Sequence, residues 1–292
     1  MRLIKNRLVI STLLLILVTL VSWPLLKRSN YNLSKKDLIT GEEVDKVVIK
    51  SKENKVVLQK EKEWLIIEPI KYLGDSKKIE NLLESLKKTK IENFVTDNTE
   101  HFNKFDVDNE KGIVVSIYNK DKLLKELIIG KMDSNFFKSY VRIGTEVYLV
   151  DSMISHSFHI NVDELRDKKI FNIKEDQIAS ISVIKGKERK NILKKENKFY
   201  LNNKEYKNIG NFINSILRLQ IHQFKKKDEV MKSLNSNYLT IEIKDINNQT
   251  HKLVVSEKEE NYKLSKFTSK NNELYFTIPS YSLKQIQDFK FE

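Results

Sequence analysis

From Val44 to Pro69 the chain reads VDKVVIKSKENKVVLQKEKEWLIIEP, three bursts of alternating apolar and polar residues separated by charged turns. Alternation of period two predicts three antiparallel strands, with Val47, Ile49, Val56, Leu58, Trp64 and Ile66 on one face. Pro69 closes the third strand because proline cannot donate to a ladder. After Asp75, a predicted N-cap, Ile79, Leu82, Leu83 and Leu86 fall at i, i+3, i+4 and i+7, the spacing of an amphipathic helix. IVVSIYNKDKLLKELIIG from Ile113 predicts a hairpin across a polar turn. YVRIGTEVYLVD from Tyr140 predicts a second, and Ser152 to Leu165 a short closing helix.

The same order then recurs. IASISVIKGKERKNILKKENKFYLNN supplies Ile181, Val183, Ile192 and Phe199 at the apolar strand positions. Ile209, Phe212, Ile213 and Ile216 repeat the helix spacing, and Asn211 and Ser215 stand where Asn81 and Ser85 stood. LTIEIKDINNQTHKLVVS from Leu239, YKLSKFTSKNNELYFTIPS from Tyr262 and a helix from Ser280 to Phe289 complete a second copy. Three strands, a helix, four strands and a terminal helix, written twice, predict an α+β chain of two tandem units. The boundaries read as 1–7 cytoplasmic, 8–26 transmembrane, 27–43 linker, 44–170 first repeat and 171–292 second repeat.

Residues 8–26, LVISTLLLILVTLVSWPLL, hold no charge over about the length of a membrane-crossing helix. Arg2, Lys5 and Arg7 precede the run, and no small-residue cleavage pattern follows it. The expectation is a single-pass cell-membrane protein with a cytoplasmic N-terminus and an extracytoplasmic C-terminal body. The chain has no cysteine, which excludes disulfides and a lipoprotein anchor.

The net charge is +13, and five basic residues lie in the first 28 positions with no acidic one, leaving +8 for the remainder. Such a body attracts anionic envelope polymers or headgroups, although most lysines alternate with apolar residues as solvated faces do. Nucleic acid is not the expected partner, since no helix-turn-helix or ribonucleoprotein signature accompanies FKKKDEV at Phe224.

Chemistry is sparse. There is no phosphate-cradling glycine loop, nucleophile elbow or paired-histidine zinc motif. His156 and His159 in SHSFH, with Asp151 and Asp163 nearby, have a spacing that on a helix brings both rings to one side of a metal. Asp106, Asp108 and Glu110 in FDVDNEKG invite a calcium reading, but the glycine is misplaced for an EF-hand and the twelfth position is Ile117. The stretch reads better as the turn into the strand at Ile113. No catalytic, cofactor-binding or metal residue is assigned.

A charged turn followed by W-x-I-x-x-P at Trp64 to Pro69 resembles a bacterial family, domain of unknown function 4340. The helix IENLLESLKKTKIENFV, the entry FDVDNEKGIVVSIY, LIIGK, SYVRIGTEVYLVD and LRDKKIF follow its pattern in order. FDVDNEKG departs from it, lacking the glycine and proline usual there. The resemblance implies a single-span protein with an extracytoplasmic domain, associated with ATP-binding-cassette transporter components of the gliding-motility type, and implies no activity. The expected function is therefore a non-enzymatic accessory or interaction subunit of a membrane assembly. The alternatives are a binding module for anionic envelope polymers and, last, a metal-assisted hydrolase using His156 and His159.

Overall fold

The computed structural model describes residues 36–289, apart from 40, 42, 197, 202, 206–208, 235–236, 257–260 and 271. Contacts divide the chain between Arg166 and Asp167. The strands of the first unit are β1 (Lys36–Asp37), β2 (Lys46–Lys50), β3 (Lys55–Lys60), β4 (Trp64–Glu68) and β5 (Tyr72–Leu73). After helix α1 (Ser76–Lys88) come β6 (Lys90–Thr96), a 3₁₀ turn (Thr99–Phe105), β7 (Ile113–Asn119), β8 (Lys122–Met132), β9 (Ser139–Ile143) and β10 (Glu146–Val150). Two short helices, α2 (Ile154–Phe158) and α3 (Val162–Leu165), close the unit.

All ten strands form one antiparallel sheet in the order β1-β6-β10-β9-β8-β7-β2-β3-β4-β5. α1 leaves β5 at one side of this ladder and delivers the chain to β6, eight strand steps away. Thirteen residues of helix span about 20 Å, whereas eight steps on a flat sheet need about 38 Å. The sheet must therefore coil around α1, and breaks of register in four of its ladders supply the bends. The inner face carries the core: Val47, Ile49, Leu58, Trp64 and Ile66 meet Ile79 and Leu86 of α1 and Phe158 of α2, all buried. Asp75 caps α1 by accepting from the Lys78 amide at 3.2 Å. The outer face has a smaller core, where the 3₁₀ turn and the loop after it lay Phe102 and Val107 on Ile128 and Val147.

The second unit contains β11 (Ile178–Lys185), β12 (Glu188–Lys195), β13 (Lys198–Leu201), β14 (Lys204–Glu205) and α4 (Gly210–Leu217). They are followed by β15 (Gln223–Phe224), α5 (Lys227–Met231), β16 (Asn237–Asp245), β17 (Thr250–Ser256), β18 (Tyr262–Ser269), β19 (Asn272–Pro279) and α6 (Ser280–Gln287). Its sheet order, β15-β19-β18-β17-β16-β11-β12-β13-β14, is that of the first unit strand for strand, with a single bridge, Lys169 to Gln220, in place of β1. The likeness reaches individual bonds. Ser85 donates to the Leu82 carbonyl at 2.6 Å and Ser215 to that of Phe212 at 2.7 Å. Here too a helix covers the outer face, with Val230 of α5 against Leu264 and Tyr275.

Two expectations are corrected. The chain is mostly β rather than α+β: strands dominate both units, and the longest helix among the described residues has thirteen residues. The helical reading of IENLLESLKKTKIENFV fails after Lys88. Thr89 turns to extended backbone (ψ 131) and Ile91 to Val95 join β6, where pairing with β1 and β10 outweighs local periodicity. Likewise, the closing helix of the first repeat is split at His159 to Asn161. The second correction concerns localisation. Among the described residues no helix is long and apolar enough to cross a membrane, so the single-pass placement is not carried forward; the 8–26 run lies outside the described residues.

Candidate functional site

The passages singled out in the sequence of the first unit meet at one end of its sheet. There a groove of about 710 Å³ is lined by Asp106 and Glu110 from FDVDNEKG, Gly130 of LIIGK, Phe136, Ser155 and His159. Lys52, Lys111 and Lys131 also border it.

FDVDNEKG is held by hydrogen bonds within the turn and by Arg142. Asp106 ends the 3₁₀ turn in the left-handed region (φ 55), and the Asp108 carboxylate accepts from the amides of Glu110 and Lys111 at 2.8 Å each. Burial pushes the Asp108 carboxyl up, but those two amides and the Lys111 charge outweigh it and leave the group below the usual carboxylate range. Lys111 sits 3.5 Å from Asp106. A cation is already built in: Arg142 of β9 donates to the Val107 carbonyl at 2.8 Å and to Asn109 at 2.9 Å. Its guanidinium lies 4.7 Å from the centroid of the Phe102 ring. The backbone of Phe105 approaches β8 so closely that a Cβ on Gly130 would lie 2.2 Å from its carbonyl oxygen. The structure thus brings Asp106 and Glu110 to the groove as expected of a turn, and spends Asp108 on the turn itself.

His159 lines the groove with Nδ1 2.6 Å from the Ser155 carbonyl, whereas His156 is exposed on α2 and does not line it. Asp151 accepts from the Lys90 amide at 2.7 Å and Asp163 pairs with Arg166 at 3.0 Å. No three His, Asp or Glu side chains are grouped as a metal site among the described residues.

What the sequence reading missed is the aromatic pair at the rim. Phe136 and Phe137, in the β8–β9 connection, are 65% and 71% exposed. The signal was present as two adjacent aromatics inside the polar turn DSNFFK, off any strand alternation.

The second unit holds one polar relay that only register could reveal. His251 stands directly across from Ser269, and its ring faces Asp245 (Nε2 to Oδ2, 3.4 Å) and Ser269 (Nδ1 to Oγ, 2.8 Å). An ionised Asp245 accepts only, so Nε2 carries the proton and the Ser269 hydroxyl donates to Nδ1. The serine oxygen also accepts from Gln249 at 2.8 Å, and Asp245 from the amides of Asn247 and Gln249 at 2.9 Å each. The Gln249 amide, foremost, holds the Asp245 carboxyl below its ordinary value. The relay ties the β16–β17 turn, which holds Asp245 and Gln249, to the end of β18, which holds Ser269, and so clamps two neighbouring strand connections together. Of FKKKDEV, Phe224 lies in β15, while Lys225 and Lys227 sit 3.8 Å and 3.7 Å from Glu229 and Glu273.

No curated protein and no solved structure matches the chain. One family model does, over residues 64–253, from β4 of the first unit to β17 of the second. The match covers most of the chain and crosses the division at Arg166, so it takes in parts of both units. With the tryptophan strand, the Gly130 approach and the Arg142-clasped turn all inside the matched span, this chain belongs to the family described as Domain of unknown function (DUF4340).

Proposed function

We propose that the protein is a non-enzymatic interaction protein, an accessory subunit of a larger assembly, binding through the loop end of its first unit. The partner assembly we propose is an ATP-binding-cassette transporter, as the family resemblance implies. One observation carries the reading: around that groove the Asp108 carboxylate and the Arg142 guanidinium are engaged within the fold and Lys111 pairs with Asp106, while Phe136 and Phe137 stand in solvent. Groups arranged for catalysis would converge on a cleft with open valences; side chains arranged for recognition present apolar surface on a rigid frame. Crosslinking in cells followed by purification through a C-terminal tag tests this. A discrete adduct containing transporter subunits is the expected result, and recovery of the chain alone would overturn the proposal.

The net charge of +8 outside the first 28 positions favours a second reading, a binding module for anionic polymers. Retention on such a polymer would then collapse as salt rises, and absence of retention at low salt would remove it.

A further inference from the structure

We infer that the groove between α4 and α6 of the second unit is a binding site for an acidic saccharide, a sugar chain that carries carboxylates. The inference gives the second reading above, a module for anionic polymers, a specific place, and it rests on that reading.

The walls of the groove come from two helix faces. Asn211, Asn214 and Arg218 stand at i, i+3 and i+7 of α4 and its C-cap, and Tyr281 and Gln285 at i and i+4 of α6, so each set shares one side of its helix. All five are exposed and line one groove of about 610 Å³, within the roughly 300–1,000 Å³ of small-molecule sites. Among the described residues no hydrogen bond or ion pair engages their side chains. Phe212 and Phe289 line the same groove, with ring centroids 4.4 Å apart.

The duplicated helix supplies the contrast that names a charge. Asn81 and Ser85 of α1 correspond to Asn211 and Ser215, so Glu84 and Lys88 correspond to Asn214 and Arg218. In α1 the two form an ion pair at 2.8 Å. In α4 the cation is kept and the carboxylate is replaced by an amide. The helix does not require an unpaired cation, because α1 is built with the paired one. The Arg218 guanidinium therefore keeps its donors for a carboxylate from outside, and guanidinium and carboxylate match in a two-pronged geometry.

The rest of the groove narrows the class of ligand. A single guanidinium suits one carboxylate rather than the clustered charge of a polyphosphate. The amides of Asn211, Asn214 and Gln285 both donate and accept, as the hydroxyls of a sugar do. The Tyr281 ring, 79% exposed, offers apolar area to the C–H face of a sugar ring while its hydroxyl stays in water. A docking helix would instead need apolar anchors along the walls, and the walls present amides there.

Isothermal titration of the full chain tests the inference with three ligands: trigalacturonate, maltotriose as a neutral sugar of the same length, and triglutamate, which carries carboxylates and no sugar ring. Trigalacturonate should bind saturably, and maltotriose and triglutamate about tenfold more weakly or worse. Arg218→Gln should bring trigalacturonate down to the maltotriose level, a loss of about tenfold or more, and Tyr281→Ser should weaken both sugars. Lys88→Gln, at the twin position of the first unit, should change neither. The three substituted side chains are exposed, so circular dichroism should be unaltered and a loss is read as lost binding. Trigalacturonate that does not bind, or an Arg218→Gln effect no larger than that of Lys88→Gln, overturns the inference. Triglutamate bound as tightly as trigalacturonate also overturns it, making the groove a carboxylate or acidic-peptide site. Retention on an anionic polymer without trigalacturonate binding ends this inference and leaves the second reading standing, so the two fall separately.

Discussion

Gly130 and Gly144 show how differently one residue type can be used within a few positions. Gly144 adopts φ +60 with nothing within 4 Å of where a Cβ would sit, so its role is conformational. Gly130 has no such φ; its role is the space occupied by the Phe105 carbonyl at 2.2 Å. Substituting alanine at each should therefore separate the two effects. Gly144→Ala should cost about 1 kcal/mol, the strain of one left-handed residue. Gly130→Ala should cost about 2–4 kcal/mol, because backbone rather than a flexible side chain must move. Urea titration of both variants tests this, and equal losses would refute the distinction. Arg142 belongs to the same scale. In the string SYVRIGTEVYLVD it reads as an ordinary outward residue of a strand, yet its guanidinium does for FDVDNEKG what a bound cation would do elsewhere.

At the scale of elements, each unit begins with a short clip that ties its first residues to the segment after its helix. In the first unit Lys36 and Asp37 pair with Ile91 and Lys90, and the Leu38 amide donates to the Thr89 carbonyl at 3.0 Å. In the second, Lys169 bridges Gln220, the Ile170 amide donates to the Leu219 carbonyl at 3.2 Å, and the Ile221 amide to the Lys168 carbonyl at 2.8 Å. Leu38 and Ile170, at matching positions, are both buried. The clip closes the side of the sheet where α1 or α4 hands over to a strand, so it should govern local opening there. Leu38→Ala should lose about 2–4 kcal/mol, and amide exchange should quicken in β6 more than in β3. Uniform acceleration across the sheet would show that the clip is only another core contact. The handover itself was misread from sequence, because TKIENFV continues an apolar helical spacing and only the waiting ladders of β1 and β10 make it a strand.

For the whole molecule, stability should fall on the acid side, and depressed carboxyls in both units set the direction. Glu273 is pulled from 4.5 to about 2, chiefly by the Lys266 ammonium that contacts it; Asp245 and Asp108 are lowered by the backbone amides that face them. A carboxyl with a lowered folded pKa stabilises fully above its unfolded value and loses that contribution as pH falls through the folded one. Urea midpoints should thus be flat above about pH 5 and decline from there toward pH 2, with Glu273→Gln reducing the decline. The Glu273 share is small and salt-sensitive because its side chain is 38% exposed. A midpoint that does not move between pH 6 and pH 3 would sink the account.

The sequence by itself determined what local periodicity can encode. The inner faces of β2, β3 and β4, the buried stripe of α1, the cap at Asp75 and the recurrence of one order of elements all follow from spacing along the chain, and the core repeats them residue by residue. The tertiary structure alone decided the rest. The ladder order that sends β6 and β15 to the far side of their sheets, the strand identity of TKIENFV, the guanidinium clasp on FDVDNEKG and the cross-strand meeting of His251 with Ser269 join residues from 18 to 59 positions apart. Such pairings carry no periodic signature, because each depends on which strands lie side by side. For the same reason the sequence left Phe136 and Phe137 unremarked: alternation places a side chain on a face of a sheet, but only the folded loop shows that these two have no face to bury against.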